Sequence, residues 1–330
     1  MTYTILVTAP KLAPAGLNRL QEAECRVLFL VDANSSAEVE SILASQPVDA
    51  VISRTVDLTS AAIRSCPTLK VISKHGVGVS NIDVAAATAC GIPVYVTPGA
   101  NAQSVAEMTL GLMFAAARRI NWMDSELRQG RWTRAQDGLQ LGGRTLGLVG
   151  FGQVGQKVAR AATALGMHVA VFDPAIRDAK VIDGVEVMDS LVELLERSEV
   201  LSLHVPLNSH TRGMIGEYEL SLLPAQAIIV NTARGEVIDE AALINALANG
   251  RLFAAGLDTT EHEPIEPGNP LLEMTNVVLS PHVGGSTPAA LAAMALDAAE
   301  NVLGYLEGRH PDPQACVNPN VFQSSTEPTP

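Results

Sequence analysis

Three charged positions in the second half of the chain could move a proton to a carbonyl oxygen. Arg234 lies in "VNTARGEVID", Glu261 and Glu263 lie in "GLDTTEHEPIEPGNPLL", and His282 lies in "LSPHVGG". In each segment a short apolar run turns polar at its end. A guanidinium binds and polarises a 2-oxo acid. An imidazole passes a proton to or from the reacting oxygen, and a carboxylate on its other ring nitrogen fixes the tautomer. Hydride delivery to a carbonyl carbon leaves negative charge on oxygen, which needs that proton. Taken singly, these residues read as a surface arginine, a solvated loop acid and a packed histidine. Their common setting at strand ends gives them a shared purpose.

A hydride needs a carrier, and a glycine turn supplies the place for one. "LGLVGFGQVGQKVARAATALG" contains Gly150, Gly152 and Gly155 in G-x-G-x-x-G spacing. The first glycine permits the tight turn, the second lets a pyrophosphate approach the backbone, and the third lets helix and strand pack closely. The helix then offers unsatisfied N–H groups to phosphate. A strand precedes, an alanine-rich helix follows, and "HVAVFD" ends in Asp173 about 20 residues on, where an acid meets the adenosine ribose hydroxyls. A carboxylate there accepts from a 2′-hydroxyl and repels a 2′-phosphate, which favours NAD over NADP. Arg177 nearby weakens that preference.

The surrounding pattern is that of an α/β protein. In the first third, "TILVTA", "RVLFLVD", "DAVISR", "LKVIS" and "IPVYVT" alternate with helical segments. This predicts a doubly wound parallel sheet of about five strands. "SVAEMTLGLMFAAARRINWMDSELRQGRW" reads as one long helical region. A second series follows: "RTLGLVGFG", "HVAVFD", "SEVLSLHVP", "AIIVNTA", "FAAGLD" and "NVVLSPH". Pro281 halts its last strand, and Gly284 and Gly285 leave room for a cofactor. "TPAALAAMALDAAENVLGYLEG" is another long helix, and the proline-rich tail reads as an extended arm frayed at its end. The expected domains are 1–101 with 288–330, and an inserted 102–287, with the long helices crossing between them and a ligand cleft where they meet.

Composition narrows the class. The chain has 330 residues and a formal net charge of −13, so general nucleic-acid binding is disfavoured. Mean hydropathy of +0.21 leaves ample apolar material for cores. Four scattered cysteines form no CxxC pair and no metal-ligand spacing, which reads as thiols in a reducing cytoplasm with no metal site. No basic leader and no membrane-spanning stretch is read from the sequence.

Together the segments "GVGVSNIDVAAATACGIPV", "PGANAQSVAEMTLGLM", "GRTLGLVGFGQVGQKVA", "LHVPLNSHTRGMIG", "IIVNTARGEVIDEAAL", "GLDTTEHEP" and "SPHVGGST" resemble the D-isomer-specific 2-hydroxyacid dehydrogenases. The resemblance runs from about Gly76 to Thr287. It implies a flavodoxin-like substrate domain and an inserted NAD-binding Rossmann domain. It implies His282 as acid/base, Glu263 as its partner in preference to Glu261, and Arg234 as the group that holds the substrate. It extends the cofactor contacts to Gln153, Val154, Pro174, His204, Val205, Pro206, Thr211, Thr232, Ala233, Asp258 and Gly284, although His204 reads equally as a packed residue. The loop "HGVG" is similar to the family's carboxylate cradle, with backbone N–H groups of Gly76, Val77 and Gly78, and Asn101 falls where the family approaches substrate. Ser80 departs from the acid common in the family.

Among family members the motifs are most similar to the phosphoglycerate dehydrogenase branch, without its C-terminal regulatory domain. A phosphorylated substrate needs cations near the cradle, and Arg54 and Lys74 are the candidates. Hydroxypyruvate, glyoxylate or another anionic 2-oxo acid fits the same chemistry. A reading from another class is an NAD-sensing interaction scaffold of the co-repressor type. The resemblance also implies a homodimer joined through the helical region that carries Trp122 and Trp132.

Overall fold

The computed structural model describes residues 2–176, 180–309 and 311–322, so Arg177 and the end of the tail lie outside the described residues. The chain divides into two compact units, Met1–Asn101 with Thr287–Pro330, and Ala102–Ser286.

The first unit carries a five-stranded, all-parallel sheet. Its strands are β1 (Thr4–Val7), β2 (Arg26–Phe29), β3 (Ala50–Ser53), β4 (Val71–Lys74) and β5 (Val94–Tyr95), in the order β2-β1-β3-β4-β5. The central strands are apolar on both faces, because helices cover both. One face buries Leu6, Val51, Ile72 and Val94 with Leu43 and Ile63. The other buries Ile5, Val7, Ile52 and Val71 with Leu20, Ala295, Ala298 and Val302. The last three belong to the helix Pro288–Leu306. That helix is long and apolar enough to cross a membrane by length and composition, a property the sequence reading passed over. Its burial against the sheet identifies it as a core helix.

The described part of the expected extended arm docks on the edge of this sheet. The amide nitrogen of Val96 donates to the Ala315 carbonyl and that of Val317 to Val94, while Tyr95 and Cys316 form an antiparallel bridge. Asn318 accepts from the Val94 amide (2.7 Å) and donates to Thr88 Oγ1 and the Ile92 carbonyl (both 3.0 Å). The short edge strand β5 needed a partner for its outer hydrogen-bonding groups, and the tail provides one.

The second unit carries eight strands: β6 (Thr145–Val149), β7 (His168–Phe172), β8 (Val181–Ile182), β9 (Val185–Val187), β10 (Val200–Leu203), β11 (Ala227–Asn231), β12 (Leu252–Leu257) and β13 (Val277–Leu279). Their order is β13-β12-β11-β10-β6-β7-β9-β8, parallel except for the β8–β9 hairpin. Six of these strands were legible in the sequence. The hairpin was not, because two- and three-residue strands carry too few alternations to give a period. The expected long helical region is also two helices, Ala102–Arg118 and Ile120–Arg128. Arg119 adopts a left-handed conformation (φ +51°) and breaks it. Periodicity alone cannot see such a break, since the apolar spacing continues through it.

Candidate active site

The glycine turn sits where this sheet changes direction, because β6 is flanked by β7 on one side and β10 on the other. Ligands of open α/β sheets bind at that switch point. Gly150 has φ +97°, and a Cβ there would lie 2.5 Å from the His204 carbonyl oxygen. A Cβ on Gly155 would lie 2.4 Å from the Gly150 carbonyl oxygen. Both sites therefore exclude any other residue. Gly152 is different: nothing lies within 4 Å of its virtual Cβ. It caps the helix Gln153–Ala164 with no side-chain hydrogen bond, so the first-turn N–H groups of Gln153, Val154 and Gly155 have no capping side chain. That combination of clearance and unsatisfied donors fits a pyrophosphate.

Asp173 stands beside the turn at the end of β7. Its carboxylate accepts from the Phe151 amide (2.8 Å) and the Ala175 amide (2.9 Å). Each oxygen keeps a second lone pair, so the group is fixed in place and can still accept from ribose hydroxyls. Pro174, exposed, follows in the same turn. His204 binds Ser202 Oγ through Nε2 (2.9 Å), and burial lowers its pKa to about 4. Both features support the packed one of its two readings. Val205 and Pro206 follow at the mouth of β10. The Thr211 hydroxyl is spent on the Pro206 carbonyl (2.6 Å), so it closes the 206–211 turn. The Thr232 hydroxyl is likewise committed, to Thr109 in the core (2.8 Å). Each hydroxyl also keeps acceptor capacity toward a ligand.

The three charged residues stand on neighbouring strand ends of this unit: Arg234 after β11, Glu263 after β12 and His282 after β13. Glu263 Oε2 lies 2.7 Å from His282 Nδ1, whereas Glu261 has its amide on Glu240 (3.0 Å) and no contact with the imidazole. Burial raises the pKa of Glu263, but the hydrogen bond and charge of His282, the Thr260 amide and the charge of Arg234 together hold it below the ordinary carboxylate value. An ionised Glu263 keeps the proton on Nδ1, so Nε2, which has no partner among the described residues, is the nitrogen that exchanges a proton with a ligand.

Two residues fix this geometry. Asn231, fully buried, donates to the Arg234 carbonyl (2.8 Å) and accepts from the Ala233 amide (3.0 Å). Asp258, 2% exposed, was expected at the cofactor. Its carboxyl group accepts from Ser280 Oγ (2.6 Å), the Val283 amide (2.9 Å) and the Gly284 amide (2.8 Å). Its backbone carbonyl accepts from the His282 amide (2.8 Å). These bonds hold His282 at φ +53°, a conformation that costs a non-glycine residue energy and persists only where its surroundings over-determine it. Gly235 permits the remaining contact, since a Cβ there would lie 2.0 Å from the Thr260 backbone. The Asn at the start of a turn in "NTARG" was the available sequence signal for Asn231. Nothing local signalled the Asp258 bonds, which span 22 to 26 residues.

The expected substrate residues of the other unit divide. The Lys74 ammonium donates to the Arg54 carbonyl and to Asn81 Oδ1 (2.5 Å). Asn81 also donates to the carbonyls of Arg54 (3.1 Å) and Val56 (2.8 Å). Lys74 thus ties the ends of β3 and β4 together. The Gly76 N–H donates within the unit, to Lys74 O (3.0 Å) and Thr97 Oγ1 (3.1 Å). The amides of Val77 and Gly78 have no such partner among the described residues. Arg54 is partly buried, and its guanidinium has no ion-pair or hydrogen-bond partner there. Asn101 precedes the helix Ala102–Arg118. Among the described residues no group of three or more His, Cys, Asp or Glu side chains could hold a metal ion.

Comparison with known proteins agrees with this geometry. Residues 110–284 match the family described as D-isomer specific 2-hydroxyacid dehydrogenase, NAD binding domain. The chain is 39% identical over 303 residues to a glyoxylate reductase of Korarchaeum cryptofilum, covering 90% of this chain and 91% of that one. It is 45% identical over 253 residues to a D-3-phosphoglycerate dehydrogenase of Methanocaldococcus jannaschii, covering 76% of this chain and only 48% of that relative. The match therefore spans about half the length of that longer protein. The crystal structure of a glyoxylate reductase from Paecilomyes thermophila superposes with a TM-score of 0.85 at 31% identity, covering 96% of this chain and 98% of that one. The chain belongs to the D-isomer specific 2-hydroxyacid dehydrogenases.

Proposed function

We propose that the protein is an NAD-dependent dehydrogenase that interconverts a small D-2-hydroxy acid and its 2-oxo acid. The observation that carries this reading is the His282–Glu263 pair at 2.7 Å with Nε2 left open, in the same unit as a glycine turn fit for a dinucleotide. The nicotinamide, when bound, supplies or accepts the hydride. In the reductive direction Arg234 binds the 2-oxo acid and draws charge toward its carbonyl oxygen. His282 Nε2 gives that oxygen its proton, and Glu263 stabilises the imidazolium before the transfer. In the oxidative direction Nε2 takes the hydroxyl proton. The amides of Val77 and Gly78 hold the substrate carboxylate. Asp173 selects NAD over NADP by refusing a 2′-phosphate.

The favoured substrate is of the phosphoglycerate dehydrogenase kind, with hydroxypyruvate and glyoxylate as alternatives; relatives bear names of both kinds. A panel of 3-phosphohydroxypyruvate, hydroxypyruvate, glyoxylate, pyruvate and sulfopyruvate, followed at the NADH and NADPH absorbance, tests this. Turnover with NADH preferred is expected. Binding of NADH with no turnover on any member would favour the scaffold reading instead, and preference for NADPH would overturn the role of Asp173.

The protein is further read as a homodimer. The helix Ile120–Arg128 buries none of its residues, and Phe114, Ile120, Leu127 and Trp132 are exposed nearby. This apolar face suits a second copy, and a monomer by light scattering at micromolar concentration would refute it. All four cysteines are free thiols, which supports a cytoplasmic setting; recovery with membranes on fractionation would contradict it.

A further inference from the structure

The loop 259–269 after β12 carries Glu263 and has to hold its carboxylate against His282. The pair itself gives weak support. The His282 and Glu263 side chains are 44% and 40% exposed, and an ion pair so open to water contributes little toward fixing two side chains in one geometry. Asp258 holds His282 from its own side. Glu263 needs a separate anchor.

Glu240 provides it. Among the described residues, hydrogen bonds from 259–269 reach beyond the adjoining Leu271 and Leu272 at three places. One is the His282 contact. The other two end on a single carboxylate: Glu240 Oε2 accepts from the Glu261 amide (3.0 Å), and Oε1 accepts from Asn269 Nδ2 (2.7 Å). The Asn269 side chain is oriented for this, because its Oδ1 accepts from the Leu271 amide (3.0 Å). One side chain thus ties the loop near both ends, with Glu263 between them. Within the loop, Thr260 Oγ1 donates to the His262 carbonyl (2.8 Å), and the Thr260 amide donates to Glu263 Oε1 (3.4 Å).

Glu240 is itself well fixed. It is the first residue of the helix Glu240–Ala248, whose Leu243 and Leu247 are buried and whose N-cap Asp239 accepts from the Ala242 amide (3.0 Å). A negative charge in that first turn is favoured by the helix dipole. Two donors on two oxygens suit a carboxylate, whereas an amide satisfies only one of them. We propose that Glu240 is a positioning residue for proton transfer: its carboxylate clamps the loop so that Glu263 stays on His282 Nδ1. Glu240 acts through Glu263 and not on the reacting atoms. The inference rests on the dehydrogenase reading above and adds a residue on which its acid/base pair depends.

The test compares wild type with Glu240→Ala, which removes both bonds, with Glu240→Gln, which keeps one acceptor, and with Glu263→Gln alone and combined with Glu240→Ala. Glu240→Ala should lower kcat on the best substrate of the panel by about 10- to 100-fold, the scale of a misplacement of about 1 Å, and by no more than Glu263→Gln does. KM and NADH binding should change by less than about twofold, because the loss falls on the chemical step. Glu240→Gln should lose less than Glu240→Ala. In the Glu263→Gln background Glu240→Ala should cost nothing further, since both changes act on one pair. Equal losses in the two backgrounds, NADH binding lost along with kcat, or an undiminished kcat would overturn the inference and leave the dehydrogenase standing. Nitrogen NMR shifts of the neutral His282 ring read the same contact without turnover. They should place the proton on Nδ1 in wild type and shift it toward Nε2 in Glu240→Ala; an unchanged tautomer would also overturn the inference. That shift in a protein that reduces no 2-oxo acid would remove the dehydrogenase reading and keep the clamp.

Discussion

The turn around His282 and the turn around Val77 are both loops at the carboxyl edge of a parallel sheet, yet they are built in opposite ways. The first is tied at nearly every polar atom. Asp258 accepts from Ser280, Val283 and Gly284 through its side chain and from His282 through its carbonyl. The second leaves the amides of Val77 and Gly78 open. Proton transfer tolerates little displacement, so the role proposed for His282 accounts for so tied a turn. Recognition needs free donors, so the hold on a carboxylate proposed for Val77 and Gly78 accounts for their open amides. On the proposed function, hydrogen-bond satisfaction, rather than loop length or exposure, separates the two tasks.

The comparison breaks most visibly at His282. His282→Ala is expected to retain NADH binding, measured by fluorescence titration, and to lose about 10²- to 10⁴-fold in kcat. Activity like that of wild type would remove the proton-transfer role and with it the reason for so rigid a loop. The next effect concerns the ties themselves. Asp258→Ala leaves the Ser280 hydroxyl and two amides without an acceptor in a buried place, and should lower the unfolding free energy by about 3–5 kcal/mol. Urea denaturation would show this. A loss under about 1 kcal/mol would mean that the bonds at Asp258 do little to hold the turn.

The smallest effect separates the open region by its response to acid. His75 and His204 both have pKa values lowered to about 4 in the folded protein, against about 6.5 in an unfolded chain. Below pH 6.5 the unfolded state binds protons that the folded state refuses, so stability falls as pH drops toward 4 and then levels for these groups. The expected loss is about 2–3 kcal/mol for each histidine. The depressed Glu263 acts in the same direction at lower pH, since its contribution is present above its unfolded pKa and is lost as it protonates. Denaturation curves between pH 7 and 4 should become shallower in His75→Phe. An unchanged slope would show that His75 is not held neutral.

Much of the protein was legible in one dimension. The alternation of β-branched runs with helical segments depends on neighbours a few residues apart, and so did the glycine turn and the acid at Asp173. Arg234, Glu263 and His282 stood out because each follows an apolar strand. What stayed hidden depends on partners far along the chain. The tail was read as an extended arm with no docking place, since nothing in "QACVNPN" reveals that Asn318 meets Thr88 and Val94. Lys74 was read as a ligand cation, and its pairing with Asn81 and the Arg54 carbonyl appears only when β3 and β4 lie side by side.

By itself, then, the sequence determined the α/β class, the dinucleotide turn and the residue types able to carry a proton, because periodicity and turn chemistry are local properties. Tertiary structure alone decided which donors are spent and which remain: Thr211, Thr232, Lys74 and Gly76 donate within the fold, while His282 Nε2 and the Val77 and Gly78 amides are open. Hydrogen-bond satisfaction is a count over everything within about 3 Å of an atom, and most of what lies that close to a folded strand end comes from elsewhere in the chain.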